Sequence, residues 1–96
     1  MYKLNPDLFL EPISSSELMI YDPKNNDIHL LNESALFIYE KMKMMNKEMV
    51  INLYVNEYMK GNLLNDEGSY RVIDESELKS DAEEIISLIL NKRILI

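Results

Sequence analysis

The sequence predicts an α+β fold, a winged-helix-like arrangement in which a three-stranded antiparallel sheet is followed by three helices. Three observations lead there. The first third holds three short apolar runs separated by turn formers. The remainder carries apolar residues at helical spacing behind Asn and Asp residues suited to cap helices. The 96 residues are 47% hydrophobic and 28% charged, with only two Gly and three Pro, so the chain is neither disordered nor repetitive and suffices for one core. Residues 1–96 are therefore expected to form a single domain.

The elements follow in order. Leu8-Phe9-Leu10-Glu11-Pro12-Ile13 is short and apolar, and Pro12 suits a sheet edge or a strand end, because proline cannot donate to a ladder. Ser14-Ser15-Ser16 makes a turn. Leu18-Met19-Ile20-Tyr21 is a second strand, closed by Asp22-Pro23-Lys24-Asn25-Asn26-Asp27, and Ile28-His29-Leu30-Leu31 is a third. Three strands cannot bury both faces, so helices are expected to cover one side.

Asn32 is a good N-cap, with Glu33 favourable in the first turn of a helix reaching about Met45. Asn46 caps a second helix with Val50, Leu53, Tyr54 and Tyr58 on one stripe, and Gly61 is expected to end it. Residues 62–73 have no clear period and read as a loop. Asp74 with Glu77, and Ser80 with Glu83, both offer capping boxes, so the last helix starts near 75 or near 80. On that helix Leu78, Ala82, Ile85 and Ile89 share a face, widened by Ile86 and Leu90. Ile94-Leu95-Ile96 closes the chain as an apolar tail.

Composition narrows the function. The absence of cysteine excludes disulfides, thiolate catalysis and cysteine metal sites. A single histidine, His29, leaves no partner for a two-His metal site or for most His-based dyads. No nucleotide-binding, nucleophile-elbow or zinc-protease motif is present. A non-enzyme without metal or cofactor is the expectation. The net charge of −7 opposes nucleic acid and anionic membranes as partners. Residues 66–84 hold −6 of it, which suits a solvated helix start or the steering of a basic partner. The N-terminus lacks the basic start and apolar stretch of a secretory signal, so a cytoplasmic protein is expected.

His29 is most simply a strand histidine, since no nucleophile or orienting group stands out beside it. Five of seven methionines, Met42, Met44, Met45, Met49 and Met59, cluster around the junction of the first two helices. They are read as filling irregular core space, with an adaptable contact surface as the alternative. DNA binding by the helix–turn–helix is disfavoured, because Asp81, Glu83 and Glu84 open the last helix. What remains permissible is peptide recognition, in which an extended peptide adds a strand to a sheet edge.

One segment makes this specific. Ile28-His29-Leu30-Leu31-Asn32-Glu33-Ser34-Ala35-Leu36-Phe37-Ile38-Tyr39-Glu40 resembles the hallmark of the PqqD-like family, a strand ending in Leu-Asn followed by Glu-Ser-Ala opening a helix. Asp81 to Ile89, and the tail at Ile94-Leu95, resemble the family's last helix and its ending. The resemblance covers roughly residues 7–96. Three departures stand out: Met44-Met45-Asn46 replaces a Gly-containing turn, Lys92-Arg93 replaces a Lys-Gly pair, and the loop 61–74 is long.

The resemblance implies a RiPP recognition element, a peptide chaperone of natural product biosynthesis. Such a domain binds the leader of a ribosomally made precursor peptide and presents it to a separate maturase, a radical-SAM enzyme or a leader peptidase. It implies that the leader adds beside Ile28, His29, Leu30 and Leu31, and packs against Leu78, Lys79, Ala82, Glu83 and Ile86. Leu78, Ala82 and Ile86 are expected to form an apolar pocket, Lys79 and Glu83 to select charge, and His29 to flank the leader. A homodimer through the same edge is the competing reading.

Overall fold

The computed structural model describes residues 2–62 and 74–96. It contains β1 (Phe9–Ser14), β2 (Glu17–Asp22), β3 (Asp27–Leu31), α1 (Glu33–Met42), α2 (Lys47–Asn62) and α3 (Glu75–Asn91). The expected order, three antiparallel strands and then three helices, is the observed one. The sheet is a meander with β2 central. Tyr21 lies opposite both Phe9 and Ile28, and Ile20 opposite both Leu10 and His29.

This register divides the sheet. Leu18, Ile20 and Leu31 share the face that meets the helices and are buried, while Phe9, Met19, Tyr21, Ile28 and Leu30 share the other. The inner face continues into a core of Ile38 and Met42 from α1, Val50 from α2, and Ile86 and Ile89 from α3. α1 packs on the sheet, and α2 and α3 pack on α1 and on each other.

Local chemistry explains the helix starts. The Asn32 side chain accepts from the Ala35 N–H at 3.0 Å, and that of Asn46 from the Met49 N–H at 2.9 Å. Asp74 caps α3 through the Ser76 N–H, which decides for the start near 75. Ser80 and Glu83 lie within the helix, where no second box is needed.

The ends differ from expectation. α1 stops at Met42, because the chain turns where the N–H groups of Met44 and Met45 both bond the Lys41 carbonyl. α2 runs through Gly61 to Asn62, since a glycine costs a helix only about 1 kcal/mol and does not by itself stop one. Its buried residues are Val50, Ile51, Tyr54 and Val55, a broader set than the predicted stripe, and Leu53 is only half-buried. On α3, Ile86 rather than Ile85 belongs to the buried stripe. The methionine cluster is mostly outside the core: Met42 is buried, Met45 half-buried, and Met44, Met49 and Met59 are exposed. The predicted loop 62–73 lies, from 63 onward, outside the described residues.

The apolar tail does more than close the chain. Residues 94–96 pair with residues 3–5 through Lys3–Ile96 bonds in both directions, an Asn5 N–H to the Ile94 carbonyl, and a Leu4–Leu95 bridge. Ile94 and Leu95 are buried as a result.

Candidate functional site

The outer edges of the sheet are β1 and β3. β1 carries Pro12 and a shift of register between Pro12 and Ser14, so its edge is interrupted. β3 pairs with β2 over five consecutive residues without irregularity. Alternate residues of β3 therefore direct their N–H and C=O groups away from β2 in a regular row, a template for a further strand. On this strand Ile28 and Leu30 are exposed on the outer face. Leu31 is buried, and His29, half-buried, sits on the inner face with it.

No Cα of β3 comes within 8 Å of a Cα of α3, while α1 packs on both. The helix does not present the residues assigned to it as one group. Leu78, Ala82 and Ile86 are at most 4% exposed and belong to the core, so they line no open pocket, which corrects the expected apolar pocket. They are buried because the same stripe faces α1 and α2. Lys79 and Glu83 are exposed, but Lys79 is paired with Glu75 at 3.6 Å, leaving Glu83 without an ion pair among the described residues. At 100° per residue Lys79, Glu83 and Leu90 form one flank of α3. Asp81 lies on the opposite flank, where its charge acts on Tyr54 of α2. Lys79, Glu83 and the half-buried Leu90 are thus turned away from α2.

β3 and α3 meet across a cavity of about 650 Å³, lined by Asp27 and His29 from the strand and by Asn91, Lys92 and Arg93 from the helix end. Its floor is built by local hydrogen bonding. The Asp22 carboxylate accepts from the Asn25 side chain at 2.7 Å and from the backbone N–H groups of Lys24 and Asn25. The Asn25 side chain foremost, with these amides, holds the Asp22 pKa below the usual carboxylate value, against the opposing effect of its burial. At the opposite lip Asn5 donates to the Arg93 carbonyl at 2.9 Å and accepts from the Asp7 N–H.

No three metal-ligating side chains stand together among the described residues. Burial raises the pKa of Tyr39 and of Tyr54, which keeps both phenols neutral within the helical layer. Asp27, Leu90, Asn91, Lys92 and Arg93 were not among the residues assigned to the site from sequence. The replaced Lys-Gly pair was the one signal at hand. Nothing in the linear order shows that the β2–β3 turn and the end of α3 meet.

No protein-family model matches the chain, and no curated protein does. Among solved structures the chain is similar to TbiB1 in complex with the TbiA(beta) leader peptide, with a TM-score of 0.65, 13% identity, and coverage of 97% of this chain and 93% of that one. At this identity the likeness shows a shared fold. No helix among the described residues is long and apolar enough to cross a membrane.

Proposed function

We propose that this chain is a non-catalytic, PqqD-like peptide-recognition domain. It binds the leader region of a ribosomally synthesised precursor peptide and presents it to a separate modifying enzyme or leader peptidase in the cytoplasm. The observation that carries the reading is the regular edge of β3, with no further strand on it among the described residues, in a chain with the fold of a protein solved with a leader peptide. A strand added there bonds the backbone of β3 and sets side chains toward the cavity shared with the end of α3, with affinity from the ladder and selectivity from what lines the cavity. The flank of Lys79, Glu83 and Leu90 takes the place first given to the buried Leu78, Ala82 and Ile86.

The test is a fluorescence-polarisation titration with labelled leader peptides encoded beside the gene. A saturable response that is lost in a Leu30→Pro variant supports strand addition, because proline removes a backbone donor and distorts the edge. Failure of every neighbouring leader to bind overturns it. A homodimer is a second reading, favoured by the exposed Phe9, Ile28 and Leu30 on one sheet face. Light scattering with and without peptide separates the two, since a self-paired edge is displaced by peptide.

A further inference from the structure

The turn that ends α3 is a Schellman closure, with the Ile94 N–H bonded to the Ile89 carbonyl at 3.0 Å and the Arg93 N–H to the Leu90 carbonyl at 3.1 Å. Its pivot is Arg93, at φ 55°. This left-handed conformation favours glycine, because a Cβ crowds the backbone there. The strain is held in place by the bond from Asn5 to the Arg93 carbonyl, which fixes the residue at the mouth of the cavity. Lys92 beside it lines the same cavity.

Charges around the cavity are unevenly committed. Asp7 is paired with Lys24 at 3.7 Å, and Asp22 is engaged by its three donors. Among the described residues neither Lys92 nor Arg93 has a carboxylate oxygen within 4.0 Å. A cation at a helix C-terminus is favoured by the dipole, and Lys92 already supplies one. The dipole therefore does not account for a second cation in a conformation that glycine adopts without crowding. The lining also holds Asp27, at the start of the β3 edge, with Asp7, Asp22, Lys24 and Ile96, so Lys92 and Arg93 are the cations of the cavity left without an ion pair among the described residues.

We infer that Lys92 and Arg93 form a specificity site for an acidic side chain in the peptide segment that lies beside Asp27–His29. This rests on the proposed addition of a strand to β3. A side chain of that strand directed to the inner face meets the helix end, where Lys92 and Arg93 carry no ion pair among the described residues. An aspartate or glutamate accepts there from the guanidinium and ammonium groups, whereas a lysine meets repulsion. The acidic flank at Glu83 lies further back along α3, so charge preference changes sign along the groove.

A phage-displayed library of random linear peptides, panned on the immobilised protein and on the double variant Lys92→Ala/Arg93→Gly, tests this. The variant keeps the fold, because glycine suits the position; a cooperative thermal transition checks that. The expected result is a shared apolar motif with Asp or Glu enriched at one position about tenfold on the native protein and not on the variant. The same motif with no acidic preference on either protein overturns this inference and leaves strand addition standing. An acidic preference that persists on the variant also overturns it. Selection of no motif by either protein overturns the proposed function and this inference with it.

Discussion

The two faces of the sheet are built from nearly the same kinds of residue and have opposite fates. Ile20 and Leu18 of β2 and Leu31 of β3 are buried, whereas Ile28 and Leu30 of β3 are 63% and 57% exposed. Alternation of polarity cannot have made this choice, because the outer face carries Phe9, Met19, Tyr21, Ile28 and Leu30. The choice is made by α1, whose Ala35, Ile38 and Met42 cover one side. An apolar side chain in this sheet is a core residue only where a helix reaches it, and otherwise forms surface open to a partner.

The comparison is broken most severely at Ile86. Ile86→Asp places a charge in the core that all three helices share, and loss of the cooperative thermal transition is expected. A stable, folded variant would place Ile86 in an open groove and restore its assignment to the peptide site.

The next contrast applies one substitution to both faces. Ile20→Thr should cost about 2–4 kcal/mol, because a fully buried side chain loses apolar contacts and gains a hydroxyl. Ile28→Thr keeps the branched strand-forming shape and should cost less than about 0.5 kcal/mol. Urea denaturation at equilibrium measures both, and similar costs would show that the outer face is covered in solution.

A smaller effect of opposite sign is expected from Arg93→Gly. Relief of the left-handed side chain, less the extra entropy of glycine in the unfolded chain, should add about 1 kcal/mol. That raises the melting temperature by about 4–8 °C in a domain of this size. An unchanged or lowered melting temperature would mean that the Arg93 side chain contributes to the native fold.

The smallest effect is a dependence on pH from Asp22. Its folded pKa lies below the unfolded value of 3.8, so its contribution is complete above that value and is lost as pH falls through the folded pKa. Asp22→Asn should flatten the loss of stability below about pH 4 in acid titrations followed by circular dichroism.

Much of this was legible in the chain. Turn formers delimited the strands to within a residue or so, and Asn32 and Asn46 marked the starts of the first two helices because their side chains satisfy exposed amides there, while Asp74 was one of two starts open for the third. Helix ends were less legible, as with Gly61, because packing against neighbours overrides a weak local preference. The β3 edge could be named from sequence, since strand order in a meander leaves few choices. The helix side could not: Leu78, Ala82 and Ile86 have the period of a groove and of a core alike, and only the placement of α1 and α2 decides between them. The cavity joining Asp27 to Arg93 depends on a tertiary meeting that no local pattern encodes.

The pairing of residues 3–5 with 94–96 bears on how the molecule assembles. These contacts span almost the whole chain, and loop-closure entropy opposes them until the intervening core has brought the two segments together. They are expected among the last to form, and among the first to open in native-state hydrogen exchange. The bond from Asn5 to the Arg93 carbonyl belongs to this late set, so the rim of the cavity at Arg93 is expected to open with it.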